Sequence, residues 1–137
     1  MSVRLLHLGL TRETAPLSLR ERFCPDDDAR RVILARLADL ADGRWLLTTC
    51  ERFELYASAP CSDVETWLRL LAGWFHVPVD HLAGRARVLR GKAAVRHLLR
   101  VAAGLESRIV GETHILGQVR EAYRSAMEEK SLDAALA

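Results

Sequence analysis

Two short apolar runs set the terms for this chain: Trp45–Thr49 and Phe53–Ser58 are strand-like, and only Cys50, Glu51 and Arg52 stand between them. Apolar and aromatic residues bounded by a polar turn read as two strands flanking that turn. The second strand places Phe53, Leu55 and Ala57 on one face and Glu54 and Tyr56 on the other, so Glu54 is expected to leave the core side. The turn carries a thiol and a guanidinium two residues apart. A thiol reacts as its thiolate, and a nearby cation favours that form, which makes Cys50 a candidate nucleophile. Cysteine is also among the most buried residue types, so a small core side chain is the competing reading.

The flanking segments extend the pattern. Val3 to Gly9 reads as a first strand, ended by Gly9 and the Thr14-Ala15-Pro16 turn. Asp26 to Asp28 cap a helix with an apolar stripe of Ile33, Leu34, Leu37, Leu40 and Ala41, and Gly43 ends it. Ser62-Asp63-Val64-Glu65 is a capping box, followed at helical spacing by Val64, Trp67, Leu68, Leu71 and Phe75 up to the turn at Pro78. The tryptophans there fit a core better than a ligand cage. Ala86 to Leu89 forms a last short strand, Gly91 a turn, and Lys92 to Ala103 another helix. Strand, helix, two strands, helix, strand is the order of an α+β ferredoxin-like split βαβ sheet, with additional C-terminal helices packed beside it. The whole of 1–137 is expected to be one domain, with a ferredoxin-like core over about 1–90 and a helical extension over 91–130.

At about 100° per residue, Val95, Leu98, Leu99 and Ala102 share one helix face, and His97 points nearly opposite, beside Ala93, Ala94, Val101 and Gly104. That small-residue face is either a groove that admits a ligand or a close helix contact. After it, the glycine-rich join from Gly104 to Gly111 carries Ser107, and Glu112, His114 and Gln118 lead into a helix with apolar positions Ile115, Val119, Ala122, Tyr123 and Ala126. Hydroxyl, carboxylate and amide groups suit an amino acid's ammonium and carboxylate, and they equally suit capping of a final helix.

Composition excludes more than it selects. A net charge of +2 is too small to argue for nucleic acid, although Arg85, Arg87, Arg90, Lys92, Arg96 and Arg100 fall close together and could meet phosphates or form a solvated face. Three cysteines give neither a metal spacing nor an even disulfide set, so no metal is expected. No secretory pattern and no apolar run of roughly 18 residues is present, which points to a cytoplasmic chain without a membrane role.

Three ordered motifs then carry a resemblance. Thr49-Cys50-Glu51-Arg52-Phe53-Glu54-Leu55-Tyr56, the opening Gly9-Leu10-Thr11-Arg12-Glu13-Thr14-Ala15-Pro16 with Leu19-Arg20-Glu21, and the long stretch from Ala94 through Gly104-Leu105-Glu106-Ser107 and Gly111-Glu112 to Ile115-Leu116-Gly117-Gln118 resemble glutamyl-tRNA reductase. The match is to that family's N-terminal catalytic domain. The resemblance implies tetrapyrrole biosynthesis from glutamyl-tRNA, with Cys50 attacking the glutamyl ester to form a thioester that NADPH reduces to glutamate-1-semialdehyde. It implies that Arg52 holds the glutamate, that Thr49, Ser107, Glu112 and Gln118 help position it, and that His97 orients the ester or assists proton transfer. The family's NADPH-binding and dimerisation domains are expected to be absent here, since nothing reads strand, Gly-x-Gly-x-x-Gly, helix, so the chain is expected to be monomeric. The aminomutase that follows in the pathway is an implied partner.

Departures are also visible. Thr11-Arg12-Glu13 stands where the family usually shows Asn-His-Lys, Glu51 and Phe53 replace Asn and Thr, and Thr113-His114 replaces Pro-Gln. Glu51 beside Cys50 would raise the thiol pKa unless Arg52 or His97 offsets it. The alternative is a non-catalytic reductase-like module that binds tRNA, glutamate or a pathway protein through the same groove.

Overall fold

The computed structural model describes residues 5–49, 51–58, 64–107, 111, 114–128 and 130–132. Four strands, β1 (Leu5–Thr11), β2 (Gly43–Thr48), β3 (Arg52–Ser58) and β4 (Arg87–Arg90), form one sheet in the order β2-β3-β1-β4 with every neighbour antiparallel. Helices α1 (Leu17–Arg20) and α2 (Asp27–Arg36), with a 3-10 turn at Leu37–Asp39, connect β1 to β2. Helices α3 (Val64–Phe75) and α4 (Val79–Ala83) connect β3 to β4, and α5 (Lys92–Ala102) and α6 (His114–Glu128) follow. This is the expected α+β ferredoxin-like arrangement with added C-terminal helices.

Several boundaries differ from the sequence reading. The first strand does not stop at Gly9: Leu10 pairs with Phe53 and Thr11 with Arg52. The chain turns only afterwards, where the Thr14 and Ala15 N–H groups donate to the Thr11 carbonyl at 3.1 and 2.9 Å. The short helices α1 and α4 carry too few residues to leave a periodic signal. Ser62 and Asp63 of the capping box lie outside the described residues. The cap of α2 is as expected, with Asp26 accepting the Ala29 N–H at 2.7 Å. Asp26→Ala should therefore cost about 1 kcal/mol in urea unfolding; no change would mean that packing alone starts the helix.

Both faces of the sheet are covered. Leu6, Leu8 and Leu10 of β1 and Phe53, Leu55 and Ala57 of β3 pack with Ile33, Leu34, Leu37, Trp67 and Leu71 from α2, the 3-10 turn and α3. On the opposite face Trp45, Leu47 and Tyr56 meet Val101, Ile115, Ala122 and Ala126 from α5 and α6. Glu54 does take the face opposite Phe53, but that face is a second core, and Glu54 is wholly buried. Alternation in β3 names the side of the sheet correctly without revealing that a later helix pair closes over it. Helix α5 sorts the same way: Ala94, His97 and Val101 are buried, whereas Leu99 is 64% exposed. The small-residue face is the one that packs.

Candidate functional site

The second face carries four polar side chains around one carboxylate. Register places Gly9 opposite Glu54, with His7 opposite Tyr56 and Thr11 opposite Arg52. Because residues two apart on a strand share a face, His7, Arg52, Glu54 and Tyr56 point together toward α5. The Glu54 Oε1 accepts from His7 Nε2 at 2.7 Å and from His97 Nε2. The Arg52 Nη1 donates to Glu54 Oε2 at 3.0 Å, and its Nη2 donates to the Glu106 carbonyl at 2.9 Å. The His7 ring centroid lies 4.5 Å from that of His97 and 4.9 Å from that of Tyr56. Gly9 makes this possible, since a Cβ there would stand 2.8 Å from His7 Nε2. Only a residue without a side chain lets the imidazole lie across the strand to reach the carboxylate.

Burial alone would raise the Glu54 pKa, but hydrogen bonds from His7 and His97, and their charge, outweigh it and hold the carboxyl well below its ordinary 4.5. Burial lowers the His7 pKa from 6.5 against the opposing pull of Glu54, so His7 is held toward its neutral form. Burial, then the Glu54 charge, pushes the Tyr56 hydroxyl far up, so it stays protonated. Both shifted acid–base groups of the pair have folded values below their unfolded ones, so the unfolded chain binds more protons than the fold on acidification. Stability present at neutral pH should fall once pH drops beneath 6.5, through His7, and fall more steeply beneath 4.5, through Glu54. Urea denaturation at stepped pH checks this; constant stability from pH 7.5 to 5 would contradict the His7 assignment.

The sequence-predicted residues fall in two adjoining places. Arg52 and His97 line a small cavity of about 10 Å³ with Thr11, Arg12, Glu13, Arg87 and Glu106, roughly the room of one water. Gln118 instead lines a polar cleft of about 810 Å³ between α2 and α6, together with Arg30, Thr48 and His114. The turn after β2 joins the two, closed by the Thr49 N–H donating to the Arg52 carbonyl at 2.9 Å and the Glu51 N–H donating to Thr49 Oγ1 at 3.2 Å. Ser107 follows α5 in a half-buried turn in which its N–H donates to the Gly104 carbonyl at 3.3 Å. Gly104 and Gly111, at φ of 79° and 82°, are joined by a 3.0 Å backbone hydrogen bond and take the left-handed backbone that glycine tolerates. Cys50 and Glu112 lie outside the described residues.

Three contributors went unseen in the sequence reading. His7 and Glu54 each interrupt an apolar strand on the same alternating phase, and that shared phase was the available signal. Arg30 of α2 gave none: its Nη1 donates to Thr48 Oγ1 at 2.7 Å and its Nη2 to the Leu46 carbonyl at 3.0 Å, pinning the end of β2. The arginine run from Arg85 to Arg100 is exposed throughout, and Arg100 pairs with Glu106 at 2.7 Å.

His7, Glu54 and His97 place one donor atom each within 4.8 Å of one another, a set of the type that binds transition metals. Here both imidazoles already converge on one carboxylate oxygen while Arg52 neutralises the other, so the group is complete as a hydrogen-bonded cluster. For a dinucleotide the described residues do not fit: the sheet is antiparallel, without the parallel strand–glycine loop–helix unit that cradles a pyrophosphate. No helix among the described residues is long and apolar enough to cross a membrane.

The model of a family described as "Glutamyl-tRNAGlu reductase, N-terminal domain" matches residues 8–137. Glutamyl-tRNA reductase of Deinococcus radiodurans is 44% identical over 122 residues, covering 88% of this chain and 33% of that protein. The Marinobacter nauticus protein of the same name is 40% identical over 129 residues, covering 93% and 30%. Among solved structures, "Glutamyl-tRNA Reductase from Methanopyrus kandleri" superposes with a TM-score of 0.74 at 38% identity, covering 96% of this chain and 30% of that one. The chain thus spans about a third of the length of the curated relatives it matches. Matched by that family's model over nearly its whole length and superposing on a solved reductase, the chain belongs to the glutamyl-tRNA reductase N-terminal domain family.

Proposed function

We propose that this chain is the acyl-transfer part of a glutamyl-tRNA reductase. The observation that carries the reading is the Arg52–Glu54–His97 cluster, which sits at one foot of the turn bearing Cys50 and opens on a small polar cavity. The Cys50 sulfur adds to the ester carbonyl of glutamyl-tRNA, the bond to the ribose oxygen breaks, and that oxygen leaves with a proton. The product is a glutamyl thioester. Glutamyl-tRNA is the substrate and tetrapyrrole synthesis the setting. NADPH supplies hydride in the family's full reaction, and since no dinucleotide site forms from the described residues, no reduction step is assigned to them.

Arg52 is only 6% exposed and makes two internal hydrogen bonds. A guanidinium has five N–H donors, so Arg52 retains donors for a substrate carboxylate. Thr49, Ser107, Glu112 and Gln118 are assigned to positioning the glutamyl group, as the family resemblance implies. The test is to mix the protein with charged glutamyl-tRNA without NADPH, following deacylation and the intact mass. A glutamyl adduct supports acyl transfer. Tight binding with neither adduct nor ester cleavage would favour a non-catalytic recognition module instead.

A further inference from the structure

We propose that Glu54 is the positioning residue of His97: it holds the imidazole with the proton on Nε2, facing the carboxylate, and thereby turns a lone pair on Nδ1 toward the cavity beside Arg52. The inference rests on the acyl-transfer reading for its chemistry but not for its geometry. Two histidines meet the same Glu54 oxygen through Nε2. An ionised carboxylate only accepts hydrogen bonds, so each neutral imidazole must donate from Nε2, which fixes both tautomers. The two rings differ in where the other nitrogen goes. His7 Nδ1 is buried without a hydrogen-bond partner, whereas His97 lines the cavity with Arg12, Arg52, Arg87 and Glu106. His97 is therefore the ring whose second nitrogen can meet a substrate, and His7 serves as a second clamp on Glu54.

The consequence for the reaction is directional. Nδ1 of His97 takes the proton from the Cys50 thiol, sulfur forms its bond to the ester carbon, and the same nitrogen returns the proton to the ribose oxygen as the carbon–oxygen bond breaks. The carboxylate favours the transient imidazolium, as a paired carboxylate does for any histidine working as acid and base. The charged and titratable groups facing His97 are Glu54, Arg52 and Tyr56 from β3, His7 from β1, Arg12 and Glu13 from the turn after β1, Arg87 from β4, and Glu106 beyond α5. Among these, only Glu54 bonds the ring directly among the described residues.

Long-range proton–nitrogen NMR of the histidine rings tests this on the protein as it stands, with the His97 signals assigned by their loss in His97→Asn. Neutral His97 is expected in the Nε2–H form. In Glu54→Gln, whose amide can donate as well as accept, the Nε2–H form should lose its dominance and adduct formation should slow by about tenfold or more. Glu54→Asp should recover part of both. An Nδ1–H tautomer in the unaltered protein overturns the proposal without any variant having to fold, and so do an unchanged tautomer ratio and rate in a folded Glu54→Gln. If the tautomer is as expected but glutamyl-tRNA gives no adduct, the positioning role is supported and the acyl-transfer reading fails.

Discussion

The Cys50→Ser protein is expected to bind glutamyl-tRNA and to form no thioester, with ester cleavage reduced on the order of 10³-fold or more. A hydroxyl is far less acidic than a thiol, so the substitution keeps shape and removes the deprotonated nucleophile. Arg52, the cation nearest in sequence, is bound to Glu54, and the pair is neutral overall. A neutral pair favours a thiolate less than a lone guanidinium would, and Glu51 adjoins Cys50 in the chain. The base proposed above is His97. Deacylation and adduct mass, compared between the two proteins at equal tRNA occupancy, are the measurements; equal cleavage by the serine protein would remove Cys50 from the chemistry.

Glu54→Ala should destabilise the fold by about 3–5 kcal/mol, the scale observed when one partner of a buried ion pair is removed. The magnitude follows from what is stranded. Arg52 is 6% exposed and would keep its charge with only the Glu106 carbonyl as an acceptor, while two imidazoles would lose theirs. Urea unfolding monitored through the tryptophans measures it, and the midpoint on heating should drop on the order of 10 °C. Glu54→Gln keeps the volume and one acceptor oxygen, so its loss should be smaller. A cost beneath about 1 kcal/mol for the alanine protein would mean that water reaches the cluster and solvates Arg52.

How much of this was legible in the chain depends on distance along it. The strand pair around Cys50 and the amphipathic helices are local patterns, and they were read with their order intact. At the end of β1 a glycine after an apolar run reads as a stop, whereas Gly9 continues the strand and makes room for the His7 ring. The burial of Glu54 is not legible locally because it depends on α5, which begins at Lys92, 34 positions after β3 ends at Ser58; in space Val101 and Ile115 close directly over Tyr56 and Trp45. His97 shows the same limit from the other side. Counting around α5 separated its small-residue face, but the partner that gives that face a meaning sits on β3, 43 residues away.

The bare backbone at Gly9 gives the sheet an unusual kind of sensitivity. A single added methyl group there carries no charge and touches no substrate, yet it would meet the His7 ring at 2.8 Å and the Glu54 side chain at 3.4 Å. The displaced ring would release its hold on the carboxylate, leaving His97 and Arg52 to share it. Steric change at an unreactive position would thus be transmitted as a change in proton affinity at another, and variation among natural chains at position 9 should track what occupies position 7 rather than what the enzyme acts upon.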